Sequence, residues 1–299
     1  MPENIIHISL NSSFSFDECL WFLDRNFDDC MHAISPNNIR KALLINKKPL
    51  LVNICQKSDQ LQVEILTGAY RQEDSLALRK YIIEWFDLDR DLTGFYQLLN
   101  SSEKLGYMTS SFNGLRMVAI PDLFEALCWS IIGQQINLTF AYKLKRKLVE
   151  KYGSQIEFEN KVYFMFPSYE ILANASIEAL KAMQFSKGKA DYIIGLAQIF
   201  MRKEMSKTML EELTDFETRQ KALTKIKGIG VWTANYALMK CLKEQSAIPF
   251  GDAGLIQALL LHSMIENRKD PQEIEAVFRN FSGWESYLVF YLWRSLSRK

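Results

Sequence analysis

The sequence predicts an α+β protein, with an N-terminal antiparallel sheet flanked by helices and an all-helical region after it. Two observations carry that prediction. Alternation of apolar and polar residues at period two is confined to the first 114 residues, and beyond Gly114 the apolar residues recur at helical spacing instead. A third feature, a helix ending on a Gly-x-Gly turn with another helix starting at once, marks the middle of the helical region.

Each element follows from local pattern. Residues 16–25 carry apolar side chains at helical spacing, with Phe16, Cys19, Leu20 and Leu23 on one face. Residues 42–55 and 60–66 read as strands. The first contains Ala42-Leu-Leu-Ile45 and Leu50-Leu-Val52 around a turn-like Asn46-Lys-Lys-Pro49, and in the second Leu61, Val63 and Ile65 alternate with polar residues. Residues 76–86 return to helix. Pro121-Asp122 then opens a long predicted helix through Trp129, Ile136 and Tyr142 to about residue 151, closed by Gly153. Further helices are expected from Pro167-Ser168 and over 176–183, 187–201, 215–225, 231–242, 254–266, 270–281 and 284–297. That makes nine in all, with no repeat of fixed period. Three segments are expected: 1–114, 115–251 and 252–299.

Composition narrows the function classes. With 48% hydrophobic residues among 299, the chain can bury substantial cores. No apolar run approaches the roughly 20 residues that cross a bilayer. The first ten residues lack a basic stretch followed by a long apolar one, so neither a signal peptide nor membrane association is expected, and the reading is soluble and cytoplasmic. The five cysteines, Cys19, Cys30, Cys55, Cys128 and Cys241, form no CxxC or Cys/His cluster, which argues against zinc, an iron–sulfur cluster or a disulfide framework. His7, His32 and His262 stand apart and read as ordinary side chains. The net charge of +1 is unevenly spread. Residues 115–299 hold 25 basic and 20 acidic side chains, a balance of +5, against 11 and 15, a balance of −4, in the first 114. A basic C-terminal portion is compatible with nucleic acid.

The most informative stretch is Leu223-Thr-Lys-Ile-Lys-Gly-Ile-Gly-Val-Trp-Thr-Ala-Asn-Tyr236. Gly228 and Gly230 can take positive φ at little cost, and Ile229 can pin the turn to the core. The free N–H groups at the start of the second helix would then point outward as an anion site beside Lys227, suited to a backbone phosphate. An ordinary tight turn between packed helices fits the same residues. Asp252 lies 22 residues after Gly230, within Pro249-Phe-Gly-Asp-Ala-Gly254. On its own, this Asp reads as a helix N-cap.

The stretch resembles the helix-hairpin-helix motif of DNA repair proteins, and nearly the whole chain is similar to the 3-methyladenine-DNA glycosylase II (AlkA-type) family. The supporting residues are Phe124 to Leu144 with Ile132-Gly-Gln-Gln135, Phe166-Pro167 with Ala179-Leu-Lys-Ala182, the hairpin, and Ser286, Tyr287 and Trp293. Phe22-Leu23 and Trp85-Phe-Asp-Leu88 match more loosely. The resemblance implies a cleft between helical lobes, Asp252 as catalytic carboxylate, and Trp293, Tyr236 and Trp232 around a flipped base. It also implies a hairpin of Lys227, Gly228, Ile229 and Gly230 on a phosphate, with a monovalent cation on the hairpin carbonyls as an option, no other cofactor and no side-chain metal site. Gln135 takes the wedge position, which an apolar residue can occupy in the family. Aromatic faces suit cationic alkylpurines such as 3-methyladenine and 7-methylguanine. Bifunctional relatives carry a lysine two residues past the second hairpin glycine, where this chain has Trp232. The implied partner is duplex DNA with alkylated bases, bound by a monomer. An oxidised-purine glycosylase with lyase activity, a non-catalytic DNA-binding protein and a helical interaction protein stay open as alternatives.

Overall fold

The computed structural model describes residues 4–10, 13–24, 27, 29–268 and 270–297. The N-terminal sheet has five antiparallel strands: β1 (Ile5–Ser9), β2 (Ala33–Ser35), β3 (Asn38–Ile45), β4 (Lys48–Lys57) and β5 (Gln60–Gly68). Their order across the sheet is β1-β5-β4-β3-β2. The predicted strands over 42–55 and 60–66 resolve into β3, β4 and β5. Asn46 and Lys47 both adopt positive φ (50° and 63°), the two-residue turn that suits the twist of a hairpin. Leu61, Val63 and Ile65 all point into the core, so the alternation did set the buried face. Strands β1 and β2 were not expected. They are short edge strands of five and three residues, too brief to carry a periodic signal.

Helices α1 (Phe16–Leu23), α2 (Ser75–Phe86), α3 (Thr93–Ser101) and α4 (Met108–Ser111) accompany the sheet in this part of the chain. Ser15 caps α1 by accepting from the Glu18 N–H at 3.2 Å. The expected end of this helix at residue 25 lies outside the described residues.

The helical region comprises α5 (Leu123–Gly133), α6 (Leu138–Tyr152), α7 (Tyr169–Ala173), α8 (Ile177–Ala182), α9 (Lys187–Met201), α10 (Lys207–Glu211), α11 (Phe216–Thr224), α12 (Val231–Ala237), α13 (Ala253–Leu261), α14 (Pro271–Arg279) and α15 (Glu285–Ser295). The single long helix expected from Pro121 to residue 151 is two. Gln135 takes φ +56°, and Asn137 starts α6 as its N-cap, accepting from the Phe140 N–H at 2.9 Å. The buried Lys189 ammonium donates to the Ile132 carbonyl at 2.7 Å, satisfying the last turn of α5. Helix α10 was not expected, and α12 runs into a π-helical turn over Leu238–Leu242. A hairpin of β6 (Gln155–Phe158) and β7 (Lys161–Phe164) corrects the view that strands end at Gly114. It turns on Glu159 and Asn160 (φ 50° and 59°), and Tyr163 and Met165 pack with Ala42 and Leu51 of the main sheet.

One continuous core runs from Ile6 through the sheet and the helices to Leu292. A buried ion pair fastens its two ends. The Arg294 guanidinium on α15 donates to Glu18 on α1 at 2.6 and 3.2 Å while lying 3.9 Å over the Trp21 ring. No described helix is long and apolar enough to cross a membrane.

Candidate active site and DNA-binding hairpin

The hairpin between α11 and α12 is built on glycine at one position for a steric reason. Gly228 has φ +89°, and a Cβ there would fall on the Tyr192 ring of α9. Ile229 is buried and anchors the turn. Gly230 corrects the expectation of positive φ: at φ −87°, ψ 178° it is extended, and a Cβ would meet nothing within 4 Å. The fold therefore does not need glycine at 230. Gly230 is the N-cap of α12 and no side chain caps that helix, so its first N–H groups are open to an external acceptor. Lys227 is exposed at the tip, ion-paired to Asp191 at 2.8 Å, a bond that pushes its ammonium pKa up.

Gln134 ties this hairpin to the break between α5 and α6. Its Nε2 donates to the Gly228 carbonyl and to Thr233 Oγ1, both at 2.9 Å. The neighbouring Gln135 is exposed on its left-handed backbone. Sequence reasoning passed over Gln134, which lay inside the quoted Ile132-Gly-Gln-Gln135 but carried no distinguishing signal.

Asp252, the N-cap of α13, is half-buried. Its Oδ1 accepts from the Leu255 N–H at 2.7 Å, so the capping role is real, and also from the Trp293 indole N–H at 2.9 Å. Trp293 lies 6.1 Å from Tyr236 between ring centroids, with planes inclined by 36°, and Tyr236 stacks on Trp232 at 5.6 Å and 29°. The acid from α13, the indole from α15 and two rings from α12 thus meet in one place. The Trp129 indole extends the row, donating to the Tyr236 hydroxyl at 3.0 Å. Trp129 was foreseen only as a helix landmark; its face could not be told from core packing.

Beyond Tyr236 a cavity of about 70 Å³ lies between sheet and helices, lined among others by Asp29, His32, Lys41, Glu125 and Lys145. Burial pushes the Glu125 carboxyl up and the Lys41 ammonium down. Burial works most strongly to raise the Asp29 carboxyl, but the Lys145 ammonium 3.1 Å away, His32 and the Met31 N–H together outweigh it and hold Asp29 low. Asp252, Trp232 and Trp293 do not line this cavity.

Residues 128–282 match the family described as "HhH-GPD superfamily base excision DNA repair protein". The chain belongs to the HhH-GPD superfamily. Residues 15–127 of this HhH-GPD protein match the 8-oxoguanine DNA glycosylase N-terminal domain. A DNA-3-methyladenine glycosylase of Bacillus subtilis is 39% identical over 98% of each chain. Among solved structures, a 3-methyladenine DNA-glycosylase from Archaeoglobus fulgidus superposes with TM-score 0.84 at 23% identity, over 96% of this chain and 97% of that one. A Clostridium acetobutylicum 8-oxoguanine glycosylase/lyase in its apo form gives 0.74 at 19%, over 97% and 95%. The α+β fold is therefore shared with both of these solved structures.

Proposed function

We propose that the chain is a monofunctional DNA glycosylase that hydrolyses the N-glycosidic bond of alkylated purines, such as 3-methyladenine and 7-methylguanine, flipped out of duplex DNA. The observation that carries this reading is a half-buried carboxylate, Asp252, set among aromatic rings beside a helix whose N-terminus is left uncapped. The extent of similarity to the Bacillus subtilis DNA-3-methyladenine glycosylase supports the alkylpurine branch.

Duplex stacking hides the scissile bond, so the damaged nucleotide must leave the helix. In the proposed complex the open N–H groups of α12 and Lys227 hold a backbone phosphate, and Gln135 enters the gap left by the flipped base. A cationic alkylpurine is attracted to the π faces of Tyr236, Trp232 and Trp293. As the bond to nitrogen lengthens, its electrons leave with the base and positive charge grows on the sugar. Ionised Asp252 stabilises that charge and directs water to the anomeric carbon. Water supplies the new C–O bond and releases a proton, leaving an abasic site. The Trp232 indole is no amine nucleophile, so no Schiff base forms there.

A monovalent cation on the hairpin would share carbonyls that already have partners: Gly228 accepts from Gln134 and Ile226 from the Ile229 N–H at 3.0 Å. No step of the reaction depends on it. The protein is proposed to act as a monomer. The test is base release from methylated duplex DNA. Free 3-methyladenine and 7-methylguanine, with the abasic strand unbroken before alkali, are expected. No release of either base would overturn the reading.

A further inference from the structure

We infer that Trp293 is a positioning residue for Asp252, contributing its indole N–H to aim the carboxylate. This rests on the proposed role of Asp252 at the sugar. Two protein donors converge on Oδ1, the Leu255 N–H at 2.7 Å and the Trp293 Nε1–H at 2.9 Å, and no described residue donates to Oδ2. One oxygen is thus held from two directions, while Oδ2 is left without a protein donor among the described residues.

Two independent features maintain this contact. Gly254, in the first turn of α13, leaves the space: a Cβ there would lie 3.2 Å from Asp252 Oδ1 and 3.4 Å from both Cδ1 and Nε1 of Trp293. A side chain at 254 would crowd Asp252 Oδ1 and at the same time come into contact with the indole. The next residue after Trp293, Arg294, is buried in its bidentate pair with Glu18, which fixes the rotation of α15. The ring spacing points the same way. A base held between two rings needs roughly 7 Å, two contact distances of about 3.5 Å. The Tyr236 and Trp293 centroids are 6.1 Å apart and inclined by 36°, so a base would not be sandwiched between these two rings but would lie against an outer face, leaving the indole N–H free to hold Asp252.

The experiment compares affinity for two duplexes that contain no base at the lesion position. One carries a pyrrolidine in place of the deoxyribose, cationic at neutral pH, and the other a neutral tetrahydrofuran. Stacking on a base cannot contribute to either, so the ratio of the two affinities reports how well the carboxylate faces the sugar. Wild type is expected to prefer the cationic duplex. Trp293→Phe, which keeps a ring but loses the donor, should lower that preference about tenfold, as expected for a lost hydrogen bond to a charged group. Trp293→His, which retains an N–H, should recover part of it. Gly254→Ala should lower it several-fold with the indole still present.

An unchanged preference in both Trp293→Phe and Gly254→Ala overturns the inference, as does an equal loss of affinity for the two duplexes. Should Trp293→Phe fail to fold, Gly254→Ala alone decides. Asp252→Asn separates the two levels of the argument. If it keeps the cationic preference, the reading of Asp252 falls; if it abolishes the preference while Trp293→Phe and Gly254→Ala do not, only the positioning role falls.

Discussion

Asp252→Asn replaces one carboxylate oxygen by an amide nitrogen and little else. The asparagine Oδ1 can still accept from Leu255 N and Trp293 Nε1, the two donors found at 2.7 and 2.9 Å. Asn and Asp cap helices about equally well, so the cap itself should survive. What is lost for stability is the negative charge at the N-terminus of α13, worth about 0.3–1 kcal/mol. For a chain of this size that corresponds to a fall in Tm of no more than about 4 °C. The rate should respond on another scale. Removing a main electrostatic stabiliser of a transition state costs on the order of 10²–10³-fold, about 2.7–4 kcal/mol. Single-turnover base release from methylated duplex, run beside calorimetry, measures both quantities. Excision within a few-fold of wild type would refute the catalytic assignment. A collapse in Tm beyond about 10 °C would show that the carboxylate is structural. Asp252→Ala serves as a control, because it removes the cap as well and should cost about 1 kcal/mol more stability.

Gly230→Val should fold normally, since its φ of −87° suits any residue and its Cβ would meet no protein atom, yet it should weaken binding to damaged and undamaged duplex alike across a salt series. Unchanged affinity for both duplexes would remove the hairpin from the interface. Borohydride added during turnover should trap no covalent protein–DNA adduct. A trapped adduct with strand cleavage before alkali would restore the bifunctional alternative. Stability should fall as pH drops below about 6.5, because burial depresses the His32 pKa and the unfolded chain takes up the proton first. A second fall should begin near pH 4, where the unfolded chain protonates the carboxyl that Asp29 keeps low beside Lys145. Denaturant melts at pH 7, 5 and 3 check both steps, and a flat profile would contradict the buried placement of these two groups.

The sequence revealed most where a pattern was long or chemically singular. The alternation of Leu61, Val63 and Ile65 specified a buried face because a strand's period leaves only two choices. The expected helix over 187–201 coincides with α9, which has a Ser186 cap and fifteen residues of consistent spacing. The break at Gln135 was hidden because Ile132, Ile136 and Phe140 recur at a spacing of four and so stay in helical phase across it. Only Asn137 as a cap signalled the second start. Hairpin β6–β7 escaped because four-residue strands alternate too briefly to stand apart from a loop. At the site, Asp252, Tyr236 and Trp293 were reached through the hairpin and the resemblance, and they do converge. The Trp293–Asp252 hydrogen bond was not legible. It joins side chains 41 residues apart on different helices, and its enabling residue, Gly254, reads in sequence as a mere weak point in a helix.

The pair of hydrogen bonds from Gln134 to the hairpin has a consequence for how damage would be found. The turn proposed to grip a phosphate and the loop proposed to enter the gap are neighbours in space but 94 residues apart in sequence. With one side-chain amide joining them at Gly228 and Thr233, they form a single rigid gauge. In the proposed complex, the distance between the phosphate held and the base pair tested would be set by the protein and would not vary with the sequence scanned. Each step along the duplex would then repeat the same measurement at a constant offset. In the proposed complex, a nucleotide that yields to that gauge more readily than its paired neighbours would be the one picked out.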